Sequence, residues 1–361
     1  MERMKVGVLG ATGMVGQNYL RLLDNHPWFE VTYVAASPRS AGKSYAEAAA
    51  GRWLMAEPIP NSLAPLTVGD ANSVDAAQGQ CQMVFSAIEA DKDTIRQLEE
   101  VYAGADIPVI SNNSAHRATP DVPMMVPEVN WGHTELIKAQ RQNRNWNRGL
   151  IAVKPNCSLQ SYVTGIHALV EAGFPVASMI VTTLQAVSGA GFPGPASLQM
   201  IDNVVPYIGG EEEKSEQEPL RILGKLVNGN IQPESSLTIS AHCNRVPVID
   251  GHMACVSIKF ADHIPTPQEI LQIWQDYTSE PQRLNLPSAP KRPIIYCDQP
   301  DRPQPRMDRD LEHGMALTVG RLRPCHVFDV RFVGLSHNTV RGAAGGAILT
   351  AELLRAQGYI D

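Results

Sequence analysis

The stretch Pro155-Asn156-Cys157-Ser158 sets a thiol directly before a helical segment. Peptide dipoles at a helix start favour an anion, so Cys157 is expected to have a lowered pKa and to act as a nucleophile. Read by itself, the same position is equally well a small buried hydrophobe. A nucleophilic thiol needs a proton carrier. Of ten histidines, His252 in VIDGHMACV follows a turn and opens a strand, which suits a fixed functional ring; a structurally satisfied histidine is the plainer reading of that fact alone. Arg245 in CNRVPV lies on or beside a strand among apolar residues. An unpaired guanidinium is costly there, and a carboxylate, from a ligand or from an internal Asp or Glu, would satisfy it bidentately. The run SNNSAHR groups Asn112, Asn113, Ser114 and Arg117, donors that fit a phosphate. In GGEEEKSEQEP, Glu211 and Lys214 stand three residues apart, so on a helix a carboxylate and an ammonium would share one face; a solvated helix surface is the alternative.

A second chemistry is written at the N-terminus. Gly10, Gly13 and Gly16 punctuate GATGMVG, with Ala11, Thr12, Met14 and Val15 between them, where an apolar strand gives way to a helix. Glycines in that context allow a tight turn and close approach of backbone N–H groups to a dinucleotide pyrophosphate. The second strand ends in AASPRSAGK, with Ser37, Arg39, Ser40 and Lys43 where an acidic residue would hold a ribose hydroxyl. Cations and hydroxyls suit a 2′-phosphate, so NADP (NADPH) is the expected cofactor, with an ordinary solvated loop as the alternative. Ser86, in QMVFSAI, is counted with the cofactor-binding residues, and no metal is expected.

These residues need a frame to bring them together. MKVGVLG, EVTYVAA (30–36), QMVFSAI (82–88), IPVISN (107–112) and GLIAVKP (149–155) read as strands. Helices are predicted at MVGQNYLRLLD, where Val15, Tyr19, Leu22 and Leu23 share a face, and at DKDTIRQLEEVYA. Such alternation predicts an α/β fold: an N-terminal Rossmann-type dinucleotide-binding domain around a parallel, doubly wound sheet. After Pro155 come the helical SLQSYVTGIHALVEAG and the strand-like MIVTTLQAV, SLTISAHCNRVPV and GHMACVSIKFA, which predict an α+β domain with a mainly antiparallel sheet. Pro-rich DQPDRPQPRMD (298–308) reads as an exposed loop, and HNTVRGAAGGAILTAELLRAQG as a Gly/Ala-rich helix able to pack closely on another element.

With 361 residues, two domains are expected. Lys and Arg number 30 against 37 Asp and Glu, a net charge of −7, which argues against nucleic acid and anionic membranes as partners. The six cysteines form no CxxC pair, so most are expected to be buried, reduced thiols. The N-terminus runs straight into a strand without a signal-peptide pattern, which gives the expectation of a cytoplasmic protein. The long uncharged stretch 172–201 is broken by prolines and glycines and reads as deeply buried protein or a site lining.

Taken together, GATGMVGQ, SNNSAHR, KPNCSLQ, LQAVSGAG, GGEEEK, CNRVPVIDGH, RPQPRMDRD and NTVRGAAGG resemble the aspartate-β-semialdehyde dehydrogenases, archaeal and fungal branch, over nearly the whole chain. The resemblance implies that Cys157 accepts the acyl group, that His252 is the acid/base and that Gln185 orients the acyl group. It implies that Arg245 binds the α-carboxylate, Glu211 the ammonium, and Arg117 with Lys214 the phosphate, with Asn113 beside them. Asn156 would help fix the carbonyl oxygen, and Asn338 would approach the nicotinamide as the last helix returns to the first domain. The implied division is 1–155 with 338–361 for NADP, and 156–337 for catalysis and dimerisation in a homodimer or homotetramer. The implied reaction is reversible NADP-dependent reductive dephosphorylation of L-β-aspartyl phosphate to the 4-semialdehyde through a thioester, serving lysine, methionine and threonine biosynthesis. N-acetyl-glutamyl-phosphate reductases depart at EEEK and CNRVPVIDGH; a malonyl-CoA reductase and a non-catalytic NADP-binding regulator are the competing readings.

Overall fold

The computed structural model describes residues 2–361. Six short apolar segments pair in parallel: β1 (Met4–Leu9), β2 (Phe29–Ala36), β3 (Val68–Asp70), β4 (Met83–Ser86), β5 (Val109–Ser111) and β6 (Ile151–Val153). Their order, β3-β2-β1-β4-β5-β6, is that of a doubly wound dinucleotide-binding sheet. The order reverses between β1 and β4, which opens a crevice at their C-terminal ends. Five of the six strands are those the sequence predicts. The sixth, β3, is a three-residue edge strand, too short for any period to register.

Helices cover both faces of this sheet. Helix α1 (Met14–Leu23) follows the glycine turn, and α2 (Lys92–Gly104) starts at Asp91, whose side chain accepts from the Asp93 and Thr94 amides. Val15 and Leu22 are only half-buried, whereas Gln17, Asn18 and Leu20 are buried with Tyr19 and Leu23. Two elements therefore enclose α1, and its buried arc is wider than the amphipathic pattern implies. The second covering element is the chain's last helix.

After β6 the chain makes one 3-10 turn (Ser158–Ser161), α3 (Val163–Glu171), β7 (Val176–Gln185), α4 (Glu211–Ile222) and the small hairpin β8 (Lys225–Val227) and β9 (Asn230–Gln232). Strands β10 (Thr238–Arg245), β11 (His252–Phe260), β12 (Ile294–Cys297), β13 (Leu317–Pro324) and β14 (Val330–Ser336) join β7 in a second sheet, ordered β10-β7-β11-β14-β13-β12. Its three central pairs are antiparallel and its two edge pairs parallel, so the sheet is mixed. Alternating burial along β10 and β11 gives the sheet a buried face, whose Ile239, Ala254, Val256 and Ile258 share a core with Val163 and Ile166 of α3 and with Ile270 and Trp274 of a further helix at Pro267–Asp276, while α4 packs along β10. A π-helical turn (Val340–Ala344) and the final helix, Gly345–Ala356, then return to the first sheet, where Ala347, Ile348, Ala351 and Leu354 share a core with Val6, Val8, Ile110 and Ala152.

Three sequence expectations are corrected. Cys81, Cys243 and Cys297 are buried, but Cys157 and Cys325 are half-buried and Cys255 is exposed, because alternation on β11 turns Cys255 outward. The stretch 172–201 is a site lining and not deeply buried protein: β7 alternates buried with part-exposed positions, and the loop beyond it lines two surface cavities and exposes Phe192, Leu198 and Ile201. The Pro-rich segment is anchored, since Asp308 is buried beneath it and accepts hydrogen bonds from Arg302 and the Gln304 amide.

Candidate active site

The glycine turn comes first in the chain. Gly10 has φ +77°, and a Cβ there would stand 2.2 Å from the Ala87 carbonyl oxygen; one at Gly16 would stand equally close to the Gly10 oxygen. Only glycine lets the turn close against β4 and leaves the helix start bare. A cavity of about 300 Å³ runs from Gly10, Thr12 and Gly13 to Ser37, Arg39 and Arg52, with Glu89 on its wall. The cradle, the helix start and two guanidinium groups fit a phosphorylated dinucleotide. Ser40 and Lys43 lie outside this lining. Ser86 is corrected: it is fully buried and its Oγ donates to Glu99 Oε1 at 2.7 Å, so it supports the sheet end beneath the cavity. Arg52 and Glu89 gave no sequence signal, lying outside any motif.

A second cavity, about 350 Å³, shares Glu89 with the first and is lined by Asn112, Asn113, Ser114, Arg117, Asn156, Cys157, Glu211, Lys214 and Asn338. Cys157 stands where β6 meets the 3-10 turn, and the C-terminal return packs directly on it: a Cβ at Gly342 would lie 2.8 Å from Cys157 Cβ. His252, the first residue of β11, places Nε2 3.3 Å from Cys157 Sγ. The Ala186 amide donates to its Nδ1 at 3.0 Å, which leaves the proton of a neutral ring on Nε2, directed at sulfur. Gly189 is required here, since a Cβ would sit 2.9 Å from Arg245 Nη1 and 3.1 Å from His252 Nε2.

Electrostatics correct the expected low thiol pKa. Burial, reinforced by the Glu211 carboxylate, pushes the Cys157 thiol up to about 11; Lys154, Arg117 and Arg245 act the other way. Burial, with Arg245 adding to it, takes His252 down to about 3. The substrate-free pair is thus a thiol facing a neutral imidazole N–H. Inactivation by iodoacetamide is therefore expected to be slow at neutral pH and to keep rising through about pH 9, as the thiolate fraction grows; a plateau reached by about pH 7 would contradict this.

Around the sulfur, Glu211 is a hub. Its carboxylate accepts from Lys214 Nζ at 2.8 Å, from Asn156 Nδ2 at 2.8 Å and from Gln185 Nε2 at 3.2 Å. Burial opposes its charge, but these donors outweigh it and hold Glu211 below the ordinary carboxylate value. Asn156, whose Oδ1 accepts from the Ser158 amide and hydroxyl, thus orients Glu211 and does not present a donor to a carbonyl oxygen. Asn113 is likewise turned away, its amide donating to Glu99 and Ser86. Asn338 bonds Ser188 Oγ and the Gly251 amide at 2.8 Å each, tying the β7 and β11 loops together at the cavity edge.

Arg245, the last residue of β10, is buried and donates to the Ala186 carbonyl at 2.8 Å; among the described residues no internal carboxylate pairs with it. Arg117 donates to Glu218 at 2.9 Å, and Glu218 also accepts the Asn156 amide at 2.6 Å. Glu218 was missed in the sequence, although 211, 214 and 218 fall at helical spacing on one face of α4. Arg117, Lys214 and Arg245 against Glu211 and Glu218 leave a surplus of positive charge beside the sulfur, suited to a small substrate carrying carboxylate and phosphate.

Comparison with known proteins agrees with this arrangement. Residues 5–137 match the family "Semialdehyde dehydrogenase, NAD binding domain" and residues 166–341 "Semialdehyde dehydrogenase, dimerisation domain". The chain is 45% identical over 364 residues, and over the full length of both chains, to an aspartate-semialdehyde dehydrogenase of Schizosaccharomyces pombe. It is 45% identical over 353 residues to that of Methanothermobacter thermautotrophicus, covering 97% of this chain and 99% of the other. The crystal structure of aspartate semialdehyde dehydrogenase with NADP from Candida albicans superposes with a TM-score of 0.89 at 40% identity, over 99% of this chain and 100% of that one. A cysteine and a histidine brought together from two sheets, beside a glycine cradle and an unpaired arginine, thus stand in a chain that belongs to the aspartate-semialdehyde dehydrogenase family.

Proposed function

We propose that the protein is an NADP-dependent, phosphorylating aspartate-semialdehyde dehydrogenase of aspartate-family amino-acid biosynthesis, working through a thioester on Cys157. The observation that carries this reading is the 3.3 Å contact of Cys157 Sγ with His252 Nε2 in a cavity adjoining the glycine cradle. In the biosynthetic direction Arg245 holds the α-carboxylate of L-β-aspartyl phosphate and Glu211 its ammonium. Arg117 and Lys214 hold the phosphate, exchanging part of their contact with Glu218 and Glu211. Cys157 Sγ attacks the β-carbonyl and its thiol proton passes to the departing phosphate, which leaves as hydrogen phosphate while the acyl group remains on sulfur. The dinucleotide, when bound along the cradle, supplies a hydride to the acyl carbon. The oxyanion that develops is met by the Nε2–H of His252, a donor fixed by the Ala186 amide on Nδ1. That oxyanion then collapses to the aldehyde and breaks the bond to sulfur; the expelled Cys157 thiolate accepts a hydrogen bond from His252 Nε2 and takes its proton from water.

The reading carries a division into 1–155 with 338–361 for cofactor binding and 156–337 for catalysis and dimerisation. It also carries inorganic phosphate as co-substrate, a homodimer or homotetramer, and a cytoplasmic location; no helix among the described residues is long and apolar enough to cross a membrane. Absorbance of reduced nicotinamide with aspartate semialdehyde, phosphate and NADP is expected to rise, and to stay flat without phosphate. No rate with NADP or NAD would reject the function. Glu211→Ala is expected to raise the KM for aspartate semialdehyde by about tenfold or more, because a charged hydrogen bond to the substrate ammonium is lost. An unchanged KM would remove Glu211 from the substrate site.

A further inference from the structure

Glu89 has no role in the mechanism above, yet among the described residues it is the one that lines both cavities, the glycine cradle on one side and the surroundings of Cys157 on the other. Packing at the end of β4 puts it there. Ala87 runs so close to the glycine turn that a Cβ on Gly10 would stand 2.2 Å from its carbonyl oxygen. Two residues later Glu89 reaches the start of α1, its Oε1 3.2 Å from where a Cβ on Gly13 would lie.

The carboxylate is free to meet a ligand. Of the two guanidinium groups that line the cradle, Arg52 lies over the Phe192 ring, 5.9 Å from its centroid, and neither Arg52 nor Arg39 pairs with Glu89. Nor does Glu89 cap α1: among the described residues no first-turn amide of that helix donates to it. The N–H groups of the cradle stay open to a pyrophosphate, and the carboxylate beside them is left for donors of another kind.

On the reading proposed above, a dinucleotide laid through the two cavities has its parts in a fixed order. The 2′-phosphate meets Ser37 and Arg39, the pyrophosphate meets the glycine turn, and the nicotinamide ring enters the second cavity to reach the acyl carbon on Cys157. One piece joins pyrophosphate to ring, a ribose with two adjacent hydroxyls, and it crosses the junction where Glu89 stands. A carboxylate accepts from two neighbouring hydroxyls at once, one to each oxygen, whereas it repels a phosphate.

We infer that Glu89 is a cofactor-binding residue whose carboxylate takes both hydroxyls of the nicotinamide-side ribose and so sets the ring before Cys157. This rests on the reading of the chain as an NADP-dependent dehydrogenase.

The test measures binding by calorimetry, without turnover, for the unaltered chain, Glu89→Ala and Glu89→Gln. Two ligands are compared: NADP, and adenosine 2′,5′-bisphosphate, which keeps the adenosine end but lacks the second ribose. Glu89→Ala is expected to weaken NADP about tenfold, through loss of charged hydrogen bonds at an open site, and to leave the bisphosphate within about twofold. Glu89→Gln should fall between, since a neutral amide keeps one oxygen to accept with. Equal weakening of both ligands would mean a displaced turn and overturns the inference. Unchanged NADP affinity overturns it too, as does tighter binding of both ligands, the result for a carboxylate that merely opposes phosphate. Glu89 is exposed, so both variants should fold, and thermal melting checks this. NADP bound with the expected pattern but no turnover would reject the proposed reaction and keep the role of Glu89; an unaltered chain that binds no NADP rejects both.

Discussion

Cys157→Ala is expected to lower phosphate-dependent NADP reduction by at least about 10⁴-fold, with NADP binding unchanged. The size of the effect follows from the chemistry: without sulfur no acyl-enzyme forms, and water or phosphate would have to meet the acyl carbon unaided. No other thiol can substitute. Cys243, the nearest in chain position to Arg245, is buried with its Sγ 3.6 Å from Ser215 Oγ and lines neither cavity of the site. Cys157→Ser should fall almost as far, because a hydroxyl ionises at much higher pH than a thiol and His252, held neutral by burial beside Arg245, is a poor acceptor for its proton. The checking measurement is kcat/KM for aspartate semialdehyde, with titration of bound NADP by fluorescence. Retention of a tenth of the unaltered rate in either variant would remove the thioester from the mechanism.

The separation between what the sequence discloses and what it hides follows physical lines. Strands with sustained apolar runs, such as β1, β2 and β7, and the glycine turn are legible because local pattern and tertiary position agree. The pairing of Cys157 with His252 across 95 residues is not periodic; no spacing announces it, and it entered through resemblance. Side-chain direction was the commonest miss. Asn113, Asn156 and Ser86 are in the right neighbourhood but spend their polar atoms on Glu99 and Glu211, two buried carboxylates that must be satisfied before any ligand arrives. The thiol pKa was misjudged for a related reason. A helix start lowers it by a modest amount, whereas enclosure between two domains, which no local motif encodes, raises it more. Glu218 was recoverable from helical spacing alone; Gly189 stood in a quoted motif without a chemical reason to single it out until packing supplied one.

Arg341→Met is expected to destabilise the protein by about 3–5 kcal/mol, the largest stability effect of any single change considered. Arg341 is 2% exposed and Glu128, its partner at 2.8 Å, is 1% exposed. The same guanidinium donates to the Met315 carbonyl and, at 3.0 Å, to Thr164 Oγ1. One side chain of the C-terminal return therefore fastens three separate stretches: the short helix at Pro127–Asn130, α3, and the entry to β13. Methionine fills similar volume, so the cost is not a cavity; it is a buried carboxylate stripped of its counter-charge and a carbonyl and hydroxyl left without their donor. Chemical denaturation should show the loss, and Arg341→Met with Glu128→Gln should recover a substantial part of it, because the orphaned charge is then gone. A single variant within about 1 kcal/mol of the unaltered protein would mean that the pair contributes register and not stability. Activity is expected to fall with stability, since the turn that holds Arg341 also sets Gly342 against Cys157, and loosening it moves the nucleophile away from His252.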